Sequence, residues 1–152
     1  MRGAGVAKAA LLLGLLATAF GRQGPAAAET NGNGAYRIIV HPSNSGTSID
    51  RRFLAQAFLK KVTIWPDGQT IRPVDQHRDS AIRARFSDEI LTRTVSAVRS
   101  YWQQLIFAGR GVPPPEMTSD EDVVRFVMRQ PGGIGYVSVG ADLHGARILT
   151  VD

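Results

Sequence analysis

The stretch that decides the fold is DRRFLAQAFLKKVTIWPDGQTIRPVD, residues 50–75. Its pattern predicts a helix, a tight turn and a strand. Asp50 suits the start of the helix, because its carboxylate accepts hydrogen bonds from exposed N–H groups of a first helical turn. Residues 65–68 (WPDG) suit a turn, since Pro presets φ and Gly permits a positive φ. Residues 70–74 alternate as a half-buried strand does. The apolar stripe of the helix consists of Phe53, Leu54, Ala57 and Phe58.

The segments on both sides of this stretch alternate between strands and helices. Apolar runs predict a central parallel strand at 36–40 and two further strands at 134–137 and 146–151. Helices are predicted after Ser80, Thr94 and Ser119, because each is a typical N-cap residue followed by apolar residues at helical period. This order indicates an α/β fold, a three-layer sandwich with a mainly parallel sheet.

The amino-terminal residues predict export. Arg2 and Lys8 precede an apolar run over 9–20, and residues 26–28 (AAA) form a typical cleavage site. The run is shorter than the roughly 20 helical residues that span a bilayer, and an uncleaved anchor is the alternative. We therefore expect a signal peptide at 1–28, a flexible polar linker at 29–35 and one periplasmic domain at 36–152.

Composition argues against several functional classes. The chain carries a formal net charge of +5, but its leader holds three basic residues and no acid, which leaves a net charge of +2. So mild a charge predicts no nucleic-acid binding, which needs a concentrated basic face. The chain has no cysteine and therefore no disulfide framework. His41, His77 and His144 share no metal-ligand spacing, so we predict no metal and no cofactor. No paired-carboxylate or Ser/His/Asp arrangement stands out, so we predict no enzyme.

The loop before the Asp50 helix has the chemistry of an oxyanion site. Ser43, Ser45 and Thr47 bring hydroxyl donors and flank a permissive glycine. Ordinary turn chemistry is the alternative, because Asp50 places a carboxylate where the anion would lie.

The start of the Ser80 helix is a second candidate. Arg78, Ser80 and Arg83 would hold an oxyanion together with the free N–H groups of the first helical turn. The alternative is a plain serine cap beside solvated arginines.

The order of these segments resembles the periplasmic phosphate-binding protein superfamily. The similarity runs from Ile38 to Val137 and includes the WPDG turn, the Ser80-x-x-Arg83-x-x-Phe86 helix and the segment 131–137 (PGGIGYV). It implies one lobe of the type II substrate-binding-protein fold, whereas full-length members close two lobes on phosphate. The family's phosphate loop corresponds to residues 78–80, although Ala81 and Ile82 stand where the family has Gly-Thr.

The resemblance implies non-covalent binding of phosphate or a similar oxyanion for ABC-type uptake or sensing. An ABC permease and a homodimer are the partners that this function implies, since a second copy would supply the wall that one lobe lacks. A ligand-free lobe that docks to an envelope partner or to itself is the alternative. The expected ligand-binding residues, on one shared edge of the sheet, are Arg78, Ser80, Arg83, Ser43, Ser45 and Thr47.

Overall fold

Seven strands and four helices follow one another along residues 35–152, the part of the chain that the computed structural model describes. The expected signal peptide and nearly all of the expected linker lie outside the described residues. The strands are β1 (Tyr36–Val40), β2 (Ser48–Ile49), β3 (Arg72–Pro73), β4 (Asp75–Gln76), β5 (Glu116–Met117), β6 (Gly133–Ser138) and β7 (Arg147–Val151). The helices are α1 (Arg51–Phe58), α2 (Ala81–Glu89), α3 (Val95–Phe107) and α4 (Asp120–Arg129).

Five of the strands form a mixed sheet in the order β2-β7-β1-β6-β3. The central strand β1 is antiparallel to both of its neighbours, β6 and β7. By contrast, β2 is parallel to β7 and β3 is parallel to β6. The predicted α/β class is confirmed, but the sheet is mixed rather than mainly parallel. The apolar run of β1 indicates burial on both faces of the sheet. A central strand is buried in this way whether it is parallel or antiparallel to its neighbours, so the run did not reveal the strand direction.

Helices cover both faces of this sheet, which makes the three layers that the sequence predicts. On one face α1, α2 and α3 pack over Ile38, Val40 and Tyr136. On the other face α4 packs over Ile39 and Val137. Alternate residues of β1 therefore enter two separate cores, as the period of a strand requires.

The helices begin where the sequence predicts. The side chains of Asp50, Ser80, Thr94 and Ser119 each accept a hydrogen bond from an N–H group in the first turn of their helix. No helix among residues 35–152 is both long and apolar enough to cross a membrane.

The predicted strand at 70–74 is shorter than expected. Pro73 ends β3, and β4 then leaves the main sheet to pair with β5 in a separate two-stranded ribbon. The N–H groups of Arg72 and Val74 donate to carbonyls at the start of β6, at 3.0 and 2.9 Å, so the missing N–H of Pro73 faces the open edge of the sheet, where no ladder bond is lost. The ribbon leads the chain along β6 to the start of α2, where Gln76 contacts the backbone of Tyr136 through a 3.2 Å hydrogen bond.

Candidate functional site

The polar starts of three helices lie at one end of the sheet. The helix α1 follows the carboxyl end of β2 directly, and its Arg51 N–H donates to the carbonyl of Asp152, just beyond β7, at 3.1 Å. At the carboxyl end of β6, Ser138 donates its backbone N–H to Asp120 in the first turn of α4. In the five-stranded sheet, β2, β7, β6 and β3 all have their carboxyl ends at this end, and β1 is antiparallel to them.

The start of α2 is tied to this end by a chain of side-chain hydrogen bonds. The hydroxyl of Ser80 donates to Gln76 Oε1 at 3.1 Å, and Gln76 Nε2 donates to Asp120 Oδ1 at 2.7 Å. Asp120 also accepts from the hydroxyl of Ser138. These bonds hold the loop before α2 against the first turn of α4, and they occupy the Ser80 hydroxyl as both donor and cap.

The hydroxyl-rich loop at 41–47 lies elsewhere. It follows β1, whose carboxyl end at Val40 pairs with Ile134 and Arg147, the amino-terminal parts of β6 and β7. Ser43 and Ser45 therefore lie at the opposite end of the sheet from Ser80. The direction of β1 is the physical reason that the structure does not bring the two groups to one edge.

Thr47 is separated from Ser80 across the width of the sheet as well. Its carbonyl accepts from Thr150 N–H at 3.0 Å, beside the edge strand β2, whereas β3 forms the other edge. A cavity of about 220 Å³ next to this loop includes Ser45, Phe53, Trp65 and Asp67 in its lining. It holds a carboxylate and two aromatic rings, which is a poor lining for an anion.

The groove beside the start of α2 is larger, about 470 Å³, and lies between α2, α3 and the segment that precedes β5. Arg78, Asp79 and Arg83 line it at the α2 side. The residues that α3 contributes are Val95, Ser96, Arg99, Trp102, Gln103 and Ile106. Pro113 and Glu116 complete the lining. Ser80 is not among the lining residues.

Arg83 is buried at the base of this groove in an ion pair with Asp75. The two side chains are 4% and 5% exposed, and Nη1 of Arg83 contacts Oδ2 of Asp75. Nε of Arg83 has no hydrogen-bond partner among the described residues. A buried guanidinium needs such a partner carboxylate, because an isolated charge is costly to desolvate. The positive charge of Arg83 is thus largely compensated by the protein itself.

Tyr136 completes the buried cluster. Its hydroxyl donates to Asp75 Oδ1, and its ring stacks on Phe86 with centroids 4.0 Å apart. Burial raises the pKa of Tyr136 above its ordinary value, so this hydroxyl stays protonated and remains a donor. The cluster of Asp75, Arg83 and Tyr136 fixes the base of the groove to β6.

The open part of the groove carries balanced charges. Arg78 and Arg99 are exposed. Nε of Arg78 lies 3.9 Å from a carboxylate oxygen of Asp79, too far for a strong ion pair. Asp79 and Glu116 place two carboxylates in the same lining. The arrangement has donors for non-covalent binding of an anion, and no group of three metal-ligating side chains occurs among residues 35–152.

Four lining residues with polar side chains were not singled out from the sequence: Ser96, Arg99, Gln103 and Glu116. Helical periodicity places Arg99 on the face of α3 that also carries Val95, Trp102 and Ile106, since these positions follow at i, i+4, i+7 and i+11. That signal was present in the sequence. What it lacked was the pairing of this face with the start of α2, which is a tertiary contact.

Sequence comparison finds no family model and no curated protein that matches the chain. Solved structures with the same fold exist. An ABC-type phosphate transport receptor from Vibrio cholerae shares 16% identity at a TM-score of 0.60, over 77% of this chain and 46% of the receptor. PstS from Borrelia burgdorferi shares 17% identity at a TM-score of 0.60, over 78% of this chain and 47% of PstS.

A structure from Clostridium perfringens that contains bound phosphate, assigned as a phosphate ABC transporter substrate-binding protein, shares 18% identity at a TM-score of 0.60. The match covers 78% of this chain and 45% of that protein. The chain thus has the fold of part of these phosphate receptors and spans less than half of their length. The TM-scores establish the shared fold, whereas identities this low do not show that the chain binds the same ligand.

Proposed function

We propose that residues 36–152 form a periplasmic solute-binding domain that binds phosphate or a similar oxyanion for ABC-type uptake or sensing. Residues 1–28 are its signal peptide and 29–35 its linker in this proposal. The fold shared with phosphate receptors supports the proposal. Amino-terminal sequencing of the secreted protein tests the processing step, with Glu29 as the expected first residue.

The observation that carries the proposal is that two exposed arginines line one groove beside the start of α2. Arg78 lies two residues before the Ser80 cap and lines the groove, and Arg99 reaches the same groove from α3. The positive end of the α2 dipole lies beside these arginines and favours an anion, although residues 80–82 do not line the groove themselves. In this proposal Arg83 does not contact the anion but stabilises the base of the groove through its ion pair with Asp75. Ser80 likewise contributes as the N-cap of α2.

Ser43, Ser45 and Thr47 have no role in the proposed site, because they lie far from Ser80 on the sheet. Asp79 and Glu116 weaken it. Each is a carboxylate within the lining and repels an anion. Moderate rather than tight binding of a bare oxyanion is therefore expected.

Calorimetric titration with phosphate and with sulfate tests the proposal. The protein is expected to give saturable heat, and Arg78→Ala to lower the affinity by about tenfold, the loss of one charge-assisted contact. Arg72→Ala is the matched control, since Arg72 is also exposed but lies on β3 outside the groove. Flat traces with both anions at millimolar concentration, or equal losses in the two variants, would overturn the proposal.

An exposed apolar surface favours a second candidate, an interaction module. Phe107 is 91% exposed at the end of α3, and Val112, five residues later in the chain, is 64% exposed. Large exposed apolar side chains are candidates for a protein contact. Light scattering over a range of concentrations, repeated with Phe107→Ser, tests self-association. A protein that stays monomeric at every concentration contradicts that form of the candidate.

A further inference from the structure

The groove beside α2 has two chemically different parts. The cationic part comes from Arg78 and Arg99. The apolar part comes from Val95, Trp102, Ile106 and Pro113. Ile106 is 50% exposed on a helix surface, whereas Trp102 is 6% exposed and belongs to the core. A site for a bare inorganic anion has no use for the apolar part, so the layout needs a further explanation.

The size of the groove is compatible with a ligand larger than an inorganic anion. Its volume of about 470 Å³ falls in the range of sites for small organic molecules, about 300–1,000 Å³. A tetrahedral oxyanion held at the arginines would leave the exposed wall of Ile106 and Pro113 without a contact. The groove is therefore larger than that ion requires.

The charge balance also disfavours a small, highly charged ion as the sole ligand. Asp79 and Glu116 oppose Arg78 and Arg99, and Asp75 neutralises Arg83. Electrostatic attraction alone is weak in such a lining. Burial of an apolar group adds a separate contribution that scales with the area removed from water, about 25 cal/mol per Å².

We infer that the ligand of this groove is an organic phosphate, a phosphomonoester or phosphonate that carries an aromatic or other flat apolar group. The inference rests on the proposed function and names its substrate class. The phosphoryl oxygens contact Arg78 and Arg99, and the hydroxyl of Ser96, one residue after Val95, is a further donor in the lining. The apolar group lies against Ile106 and Pro113. Binding is non-covalent and no bond of the ligand changes.

Phenyl phosphate, inorganic phosphate and phenol are the probes, each titrated calorimetrically into the protein. Phenyl phosphate is expected to bind at least about tenfold more tightly than inorganic phosphate, a difference of about 1.4 kcal/mol. Phenol alone is expected to bind more weakly than phenyl phosphate, because it lacks the anionic group. Equal affinity for phenyl phosphate and inorganic phosphate would overturn the inference and leave the proposed function standing. No binding of phenyl phosphate or inorganic phosphate would overturn both.

Ile106→Ser isolates the apolar part of the groove. It is expected to weaken phenyl phosphate binding severalfold and to leave inorganic phosphate unchanged. Ile148→Ser is the matched control, because Ile148 is 46% exposed on β7 and does not line the groove. An equal loss for both ligands in Ile106→Ser, or an equal loss for phenyl phosphate in the two variants, would contradict a specific apolar contact.

Discussion

Replacement of Arg83 by methionine separates the structural role of this arginine from a ligand-binding role. Methionine keeps much of the volume and removes the guanidinium that pairs with Asp75. The Asp75 carboxylate is then left buried with two donors, the hydroxyl of Tyr136 and the backbone N–H of Gln76, the latter at 2.9 Å. Loss of one partner from a buried ion pair costs about 3–5 kcal/mol.

The lower end of that range applies here, because the remaining donors still satisfy part of the carboxylate. A loss of about 3 kcal/mol is a large share of the roughly 5–15 kcal/mol that stabilises a domain. At about 4 °C per kcal/mol for a domain of this size, the melting temperature falls by about 12 °C. Scanning calorimetry measures the shift directly.

Two further variants make the measurement decisive. Arg85→Met lies on the same helix but removes only an exposed pair with Glu89, so it is expected to cost no more than about 1 kcal/mol. Asp75→Asn combined with Arg83→Met leaves no buried charge and is expected to recover part of the lost stability. If Arg83→Met melts within about 2 °C of the original protein, the buried-pair argument is refuted. A loss of phosphate affinity without a loss of stability would instead restore the ligand role that the sequence predicts.

Three more predictions concern packing, ionisation and capping. Gly135→Ala places a methyl group 2.7 Å from Val123 Cγ1 and is expected to cost about 1–3 kcal/mol in denaturant unfolding. Gly140→Ala has open space and serves as its control; equal losses would contradict the packing argument. Burial raises the pKa of Tyr136 in the folded protein, so above pH 10.0 this tyrosine ionises in the unfolded chain first. The free energy of unfolding therefore falls by up to about 1.4 kcal/mol per pH unit. Tyr136→Phe should reduce this slope, and an unchanged slope would contradict it. Ser119→Ala removes the acceptor 3.1 Å from Asp122 N–H and should cost about 1 kcal/mol; a change below a few tenths would contradict the cap.

The local elements of this fold were predictable because their signals are local. A cap residue acts on N–H groups two or three positions away, and Asp50, Ser80, Thr94 and Ser119 all begin helices as expected. The same holds for the turn before residue 69, where Gly68 N–H donates to Trp65 carbonyl at 2.9 Å and Gly68 has a φ of +88°. Apolar periodicity likewise identified the faces that enter the two cores.

The candidate site was only partly predictable, because its residues come from separate elements. The neighbourhood of Arg78 and Ser80 was found from one helix start, but the partner face of α3 with Arg99 was missed. Arg83 was expected to meet a ligand, and the structure pairs it with Asp75, eight positions earlier in the chain. A sequence shows that both residues are charged and does not show which charges become buried together.

The sequence by itself determined where the four helices begin and which apolar faces they bury, because caps and burial period act over a few residues. The tertiary structure alone decided the direction of β1. Hydrogen-bond pairing between distant strands sets that direction, and a buried central strand has the same apolar pattern either way. Because β1 runs antiparallel to β6 and β7, Ser43 and Ser45 lie at one end of the sheet, and the start of α2 and its groove lie at the other end.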